Sequence, residues 1–585
     1  MLLPVLAVLA QSPDTVAPRL RYVAAVSQPG PVSYRDPLGV ISPDGLWLAT
    51  ASETHLRVQR VVGGSIVELG SSDERITDLT WLPDSRHLAV RKRVFESGRV
   101  QWWVYDRVTR AAQPLWPDQP LLRGTSEGAT SRVAVDPSRL VQLVWSPAGD
   151  SVAGIVRDEH GSALWVIRAD GGGARVRARP WLLSFPAWRA GGGVGCLSLR
   201  EDHQRLEIEC GTAGPDSVAA YGPIAFAPDG RSVYYAAPNP RGMLDLWQRS
   251  LPGGSDRPLT RFARDAYAPF VTRDGRVLFK VQDYRVSVAA APADGGASQQ
   301  LTAFQSETPT WSTDGRSLGV TFGSWRRVID DFHYPDIAQD LGIVAVQDTP
   351  VTVPTTVFRA TPSEDQGMAW SPNGRWIAFH SHASGTDDLY LQPADRTTPA
   401  RLVSERLYET GWPRWSPDGR WIVIPSEDET SRGRSGYLSV LGIDPETGRT
   451  TSPLRRLVLE GLEGGALHAE WADNETIVFD AITALGHKGL YAVARMGGRP
   501  RLIRRYQSDE VYSGIGTSPD GHWVAYVAPA DDGHFQVFRV PMAGGTPRQL
   551  TFDPTNKTQP AYSPDGRRLA FTVFTYVVQF WLLEP

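Results

Sequence analysis

The sequence predicts an all-β chain folded as tandem β-propellers, best divided into two six-bladed rings of four-stranded blades. Three observations predict it. A short turn motif built on Ser-Pro-Asp-Gly recurs along nearly the whole chain. Each copy is followed by two apolar, strand-like runs and then by a Gly-containing turn. No stretch carries the repeated helical spacing of apolar residues that a βα barrel or an α/β-hydrolase domain would need.

The turn comes first. Clear copies are Ile41-Ser-Pro-Asp-Gly45, Trp370-Ser-Pro-Asn-Gly374, Trp415-Ser-Pro-Asp-Gly419, Thr517-Ser-Pro-Asp-Gly521 and Tyr562-Ser-Pro-Asp-Gly566. Weaker copies begin at Trp81, Trp145, Phe226, Val271, Trp311 and Trp471, and an eroded one surrounds Phe185-Pro-Ala-Trp188, which makes twelve. Pro presets φ, Asp caps the turn backbone and Gly takes positive φ. A strand follows at once, as in Arg420-Trp-Ile-Val-Ile424, then a second, as in Asp388-Leu-Tyr-Leu391. A Gly-Gly turn leads to a short outer strand, as in Gly544-Gly-Thr-Pro-Arg-Gln-Leu-Thr551. Four strands and three turns make one blade. The aromatic before the turn, usually Trp, is expected to wedge between neighbouring blades. Successive turns lie roughly 40 to 47 residues apart in most cases, a blade's length. Longer gaps after Trp81, Trp311 and Trp415 read as loop insertions.

The Ser-Pro-Asp-Gly-Arg-Trp-Ile type of repeat resembles that of the TolB-like (WD40-like) propeller family. It is similar to the propeller regions of tricorn-type and prolyl-oligopeptidase-type peptidases and of bacterial amidohydrolase fusions. The resemblance covers nearly the whole chain. It implies the fold and says little of function.

Two six-bladed rings place the boundary after Leu301-Thr302, giving a first propeller over 11–303 and a second over 304–585, with seven plus five as the alternative. Gln579-Phe-Trp-Leu-Leu583 reads as the third strand of the last blade. The unassigned strand 20–26 is then expected to supply its fourth and close the second ring, the alternative being a three-stranded final blade. The insertion Gly323–Asp340 is expected to pack between the rings, or else to form a partner-binding loop.

The N-terminus opens with the apolar run Leu2–Ala10, read as a signal peptide over 1–10 cut before Gln11, or else as a frayed tail. A periplasmic or secreted protein is the expectation. No apolar run is long enough to span a bilayer as a helix. Net charge is −4, so overall charge gives no case for nucleic acid or an acidic membrane surface. The two cysteines, Cys196 and Cys210, fall opposite one another if the stretch between them is a hairpin centred on His203, and an exported protein would join them. The alternative is two buried thiols.

Propellers bind ligands where loops enter the innermost strands. In the second ring those positions are polar: Glu307, Glu364, Asp365, Glu409, Trp412, Arg414, His468, Glu470, Asp509, Glu510, Lys557 and Gln559. Carboxylates beside one His and one Lys suit a peptide amine or a sugar and leave room for a divalent cation, although no cofactor is otherwise indicated. Solvated polar residues at any channel mouth are the plainer reading. His380-Ser-His382 has the form of a metal pair but lies in an ordinary repeat, so metal is not expected there. No His-Glu-x-x-His, P-loop or dinucleotide fingerprint is present. The expected function is a binding or scaffold module for a protein, peptide or glycan of the cell envelope. The alternatives are an accessory propeller for a separate amidohydrolase or peptidase, and a propeller enzyme with its site at the channel mouth.

Overall fold

The computed structural model describes residues 19–584 except 28–37, 53–54, 63, 72–73, 95–99, 117–120, 127–131, 159–160, 180–181, 201–202, 208–209, 211–219, 240–242, 263, 324–338, 362, 384–387, 405–411, 427–436, 463–464, 484–487, 507–513 and 532–533. The expected signal peptide, most of the 323–340 insertion, Glu409, Asp509 and Glu510 lie outside the described residues. Among the described residues there is no α-helix, and the one helical turn is the 3-10 segment Pro137–Arg139.

The turn motif folds as a hydroxyl-centred knot. In Trp415-Ser-Pro-Asp-Gly419 the Ser416 hydroxyl donates to Asp418 at 2.6 Å and accepts from the Trp421 amide at 3.0 Å, while Gly419 takes φ +71°. Ser312 and Ser563 do the same in their own copies. Chain reversal leads straight into the next strand because its first amides are already bonded. The wedge aromatics also act as expected. The indole N–H of Trp415 donates to the Ala369 carbonyl of the preceding blade at 3.1 Å, and Trp471 reaches Arg414 in the same way at 3.0 Å. Trp311 reaches Ala561 at 3.0 Å, which joins the first and last sheets of its unit.

The described residues form two compact units. Those up to Val26, from 38 to Asp283 and from Val577 onward make the first, and Tyr284–Tyr576 make the second. Innermost strands of the first unit are Leu38–Ile41, Glu74–Trp81, Leu140–Trp145, Leu182–Trp188, Tyr221–Phe226 and Ala266–Val271. Those of the second are Ser306–Trp311, Asp365–Trp370, Arg414–Trp415, Ala466–Trp471, Gly516–Thr517 and Asn556–Tyr562. Most begin a four-stranded antiparallel sheet in chain order, such as Ser306–Trp311, Ser317–Gly323, Gln339–Ala345 and Thr356–Arg359. This arrangement is consistent with six blades in each unit. In the first unit, Leu122–Ser126 and Arg132–Val135 extend the third sheet outward. The fourth sheet has three strands among the described residues.

The closing sheets differ from the expectation. Val277–Pro292 and Arg568–Glu584 are single strands of 16 and 17 residues, far longer than one blade needs. The first runs from the first unit into the second at Asp283–Tyr284, and the second runs back at Tyr576–Val577. The change of unit therefore falls mid-strand, not at 303–304. The segment Gln579–Leu583 continues a second strand rather than starting a third. Arg19–Ser27 does pair with that strand, but in the first unit's sheet, whose order is Arg19–Ser27, Arg568–Glu584, Val277–Pro292, Ala266–Val271. The second unit closes instead with Gln299–Gln300 on the far half of Val277–Pro292.

Cys196 and Cys210 form a disulfide with Cα atoms 5.0 Å apart. The hairpin register is not the expected one: Arg200 pairs with His203, so Cys196 faces Glu207. Cys210 lies past the strand, where its amide donates to the Val194 carbonyl at 2.7 Å. A bridge closing a sequence separation of 14 restricts the unfolded chain by about 3 kcal/mol. A Cys196→Ala/Cys210→Ala variant should lose about that much in a denaturant titration, and a loss under about 1 kcal/mol would contradict the assignment.

Serine hydroxyls and following amides hold the carboxyls of Asp314, Asp520 and Asp565 below the ordinary value of 3.8. A group whose folded pKa is depressed contributes stability above its unfolded pKa and loses it as pH falls through the folded one. The melting temperature is therefore expected to drop on acidification below about pH 4. A Ser312→Ala/Ser518→Ala/Ser563→Ala variant should show a shallower acid limb in calorimetry, and an unchanged limb would remove these turns from the explanation.

Candidate functional site

Four of the six innermost strands of the second unit carry a register shift a few residues before their wedge aromatic. Register shifts fall between Glu307 and Thr310, Gln366 and Ala369, Ala466 and His468, and Thr558 and Ala561. Thr308, Gly367, Gly514 and Gln559 have φ of 52°, 66°, 86° and 55°. Such bulges turn a side chain or backbone amide out of the ladder. Here they are bonded to the neighbouring sheet: the Thr308 amide donates to Gln559 Oε1 and Thr572 Oγ1, both at 3.1 Å. Gly367 is required by more than its φ, because a Cβ there would run into the Trp412 ring.

Four successive sheets thereby line one pocket. Its wall is Trp412, Arg414, His468, Ala469, Glu470, Gly514, Ile515, Gln559 and Pro560, around ≈ 280 Å³ of space that includes open solvent. The Trp412 and His468 rings lie 5.9 Å apart between centroids, tilted at 39°. Arg414 Nε donates to Glu470 Oε1 from the adjacent sheet. Asp480, fully buried on the second strand of its blade, accepts from the His468 amide at 2.8 Å and lies 3.0 Å from His468 Nδ1. A carboxylate on Nδ1 fixes the tautomer with its proton there and leaves Nε2 as an acceptor. Burial pushes the Glu470 carboxyl up, opposed by Arg414 and His468. The pocket thus joins an indole face, a guanidinium–carboxyl pair and an oriented imidazole, the mixture of apolar surface and few placed polar groups that suits ligand binding.

Of the remaining described candidates, all but Gln559 are placed elsewhere. Glu307 is buried and accepts from Gln339 Nε2 at 3.3 Å. Glu364 accepts from Gln366 Nε2 and lies 3.6 Å from His382 Nδ1. Asp365 is fully buried against Arg359 Nε at 2.9 Å and Thr361 Oγ1 at 2.8 Å. Lys557 is fully buried, its ammonium donating to Asp553, to the Thr555 carbonyl and to the Thr555 hydroxyl at 2.5, 2.6 and 2.7 Å. Gln559 lines the pocket while its carbonyl oxygen accepts from Thr572 and Thr308. Asp480 was not among the sequence candidates. Its signal was a lone acid in the apolar strand Thr476-Ile-Val-Phe-Asp-Ala-Ile482. Among the described residues, no group of three or more His, Cys, Asp or Glu is arranged to hold a metal ion.

No family model matches the chain. The Tol-Pal system proteins TolB of Anaeromyxobacter dehalogenans and of Anaeromyxobacter sp. are each 29% identical to it over 134 residues, 23% of this chain and 26% of the relative. The match therefore spans about a quarter of the length of these curated relatives. Among solved structures, a TolB from Agrobacterium tumefaciens aligns at 21% identity with a TM-score of 0.36, over 50% of this chain and 99% of its own. Tricorn protease aligns at 12% with a TM-score of 0.28, over 92% and 63%. Puromycin hydrolase aligns at 17% with a TM-score of 0.28, over 65% and 57%. The sequence relatives support the TolB-like character of the repeat.

Proposed function

We propose that this chain, a tandem β-propeller protein with TolB-like repeats, is an exported binding module whose second unit takes a protein, peptide or glycan segment of the cell envelope at the mouth of its channel. One observation carries the reading: Trp412, Arg414, His468, Glu470 and Gln559 converge on one pocket from successive sheets. The curated relatives are named as proteins of a Tol-Pal system, and from that name we favour a protein or peptide ligand. Among the described residues, no helix is long and apolar enough to cross a membrane.

The test is a thermal-shift screen of purified protein against short peptides, oligosaccharides and divalent cations, beside a His468→Ala/Glu470→Ala variant. Ligand at about 100 times its Kd stabilises the folded state by about 2.7 kcal/mol. Peptides or oligosaccharides are expected to raise the melting temperature of wild type and not of the variant. No shift with either class, or an equal shift in both proteins, would overturn the reading.

A second reading, a channel-mouth enzyme, is favoured by the Asp480–His468 pairing, since a base held by a buried carboxylate beside a carboxyl of raised pKa is an arrangement used in acid–base chemistry. Turnover of a screened ligand, abolished by His468→Ala, would select it over plain binding.

A further inference from the structure

The outermost strands of the second unit are Thr356-Val-Phe-Arg359, Arg401-Leu-Val-Ser404, Thr450-Thr-Ser-Pro-Leu-Arg-Arg456, Arg501-Leu-Ile-Arg-Arg505, Arg548-Gln549 and Gln299-Gln300. Together they hold eight arginines and no acidic residue. Outer strands of the first unit also hold arginines, as in Ala174–Arg179, but they include the acids Glu68, Glu207 and Asp256. In a chain of net charge −4, this is a local concentration that overall charge conceals.

The densest part is one continuous wall across two blades. Arg455 donates to the Arg495 carbonyl at 2.9 Å and the Met496 carbonyl at 3.2 Å, and the Gly498 amide donates to the Val458 carbonyl at 2.9 Å. Between the exposed arginines Arg456, Arg499, Arg501 and Arg505 stand Val458, Met496 and Leu502, which are 72%, 63% and 45% exposed. Neighbouring acids are few: Glu475 is paired with Arg495 at 3.1 Å, and Glu460 is exposed near Val458. Large aliphatic side chains left in water among guanidinium groups match a surface with phosphate charge outside and hydrocarbon beneath. The guanidinium binds phosphate oxygens in a fork, and its stem packs along apolar surface. Aliphatic tips entering the headgroup layer add to the electrostatic attraction.

We propose that this wall docks the second unit on an anionic phospholipid surface. It lies on different residues from the channel pocket and stands independently of the ligand-binding reading. The test is co-sedimentation with vesicles of phosphatidylglycerol and phosphatidylcholine, and with phosphatidylcholine alone, at low and high salt. Three proteins are compared: wild type, Arg456→Glu/Arg501→Glu/Arg505→Glu, and a control of equal charge change in the turn motifs, Arg316→Glu/Arg420→Glu/Arg567→Glu. Wild type and control are expected to bind anionic vesicles at low salt and to leave them at high salt. The wall variant should bind about tenfold more weakly or worse. Should the triple variant fail to fold by circular dichroism, Arg505→Glu and Val458→Ser/Met496→Ser each take its place, with a measurable loss expected. Equal binding by wall variant and control, equal binding to neutral vesicles, or no sedimentation of wild type at low salt would overturn the proposal, the last leaving an acidic protein as the partner to examine.

Discussion

A chain ending at Tyr576 is expected to lose the first unit while keeping every strand of the second. Removing residues 577 onward leaves the second unit its half of Arg568–Glu584 and takes from the first the strand between Arg19–Ser27 and Val277–Pro292. Val578, Phe580 and Leu582 on that strand are at most 1% exposed. Each is worth about 1.5–3 kcal/mol of burial, so the loss rivals the about 5–15 kcal/mol that a whole domain has to spare. The Phe580 ring also fills the space over Gly39, where a Cβ would collide with it. Hydrogen exchange should show the amides of Leu38–Ile41 and Ala266–Val271 unprotected while those of the second unit stay slow. Native-like protection in the first unit would show that its sheet closes without this strand. The same reasoning expects a fragment ending at 303 to fail, although the repeat count alone would choose it.

Asp365→Ala is the second large effect. Asp365 is fully buried and Arg359, whose side chain is 18% exposed, is its ion partner at 2.9 Å. Removing one member of a buried pair leaves the other charge uncompensated and costs about 3–5 kcal/mol. Arg359 also lies 5.2 Å from the Phe379 ring centre, so the variant leaves a cation beside an aromatic core. Chemical denaturation should show this loss while the ligand-induced thermal shift persists, because Asp365 is not part of the pocket wall. A variant of native stability that has lost the ligand response would return Asp365 to the binding site.

Turns and wedge aromatics were legible because each is a local device: a Ser, an Asp and a Gly within five residues, or a Trp whose indole needs one carbonyl. What was not legible is where strands go. Val277–Pro292 and Arg568–Glu584 have no Gly or Asn, and no Pro before the final residue of the first, to turn the chain. That absence was a readable signal for a strand too long for one blade. The blade count masked it, because each half still looks like a separate blade strand. The disulfide partners were legible from their spacing, while the register between them was not, since one residue of slip reassigns every pair. At the site, position before the aromatic found Trp412, Arg414, His468, Glu470 and Gln559 together. It could not separate them from Asp365 and Lys557, whose partners, Arg359 and Asp553, depend on local side-chain packing. Asp480 lies on a different strand from the channel positions and was reachable only as an unexplained acid in an apolar run.

The second unit's channel mouth is proposed as a binding site. Isothermal titration of the peptide or oligosaccharide with the largest thermal shift, into wild type and Trp412→Ala, tests it most directly. One site per chain, weakened about tenfold or more in the variant, is the predicted result, since a stacked aromatic platform contributes on the order of 1–3 kcal/mol. The same affinity and stoichiometry in both proteins would place the ligand elsewhere and contradict the claim.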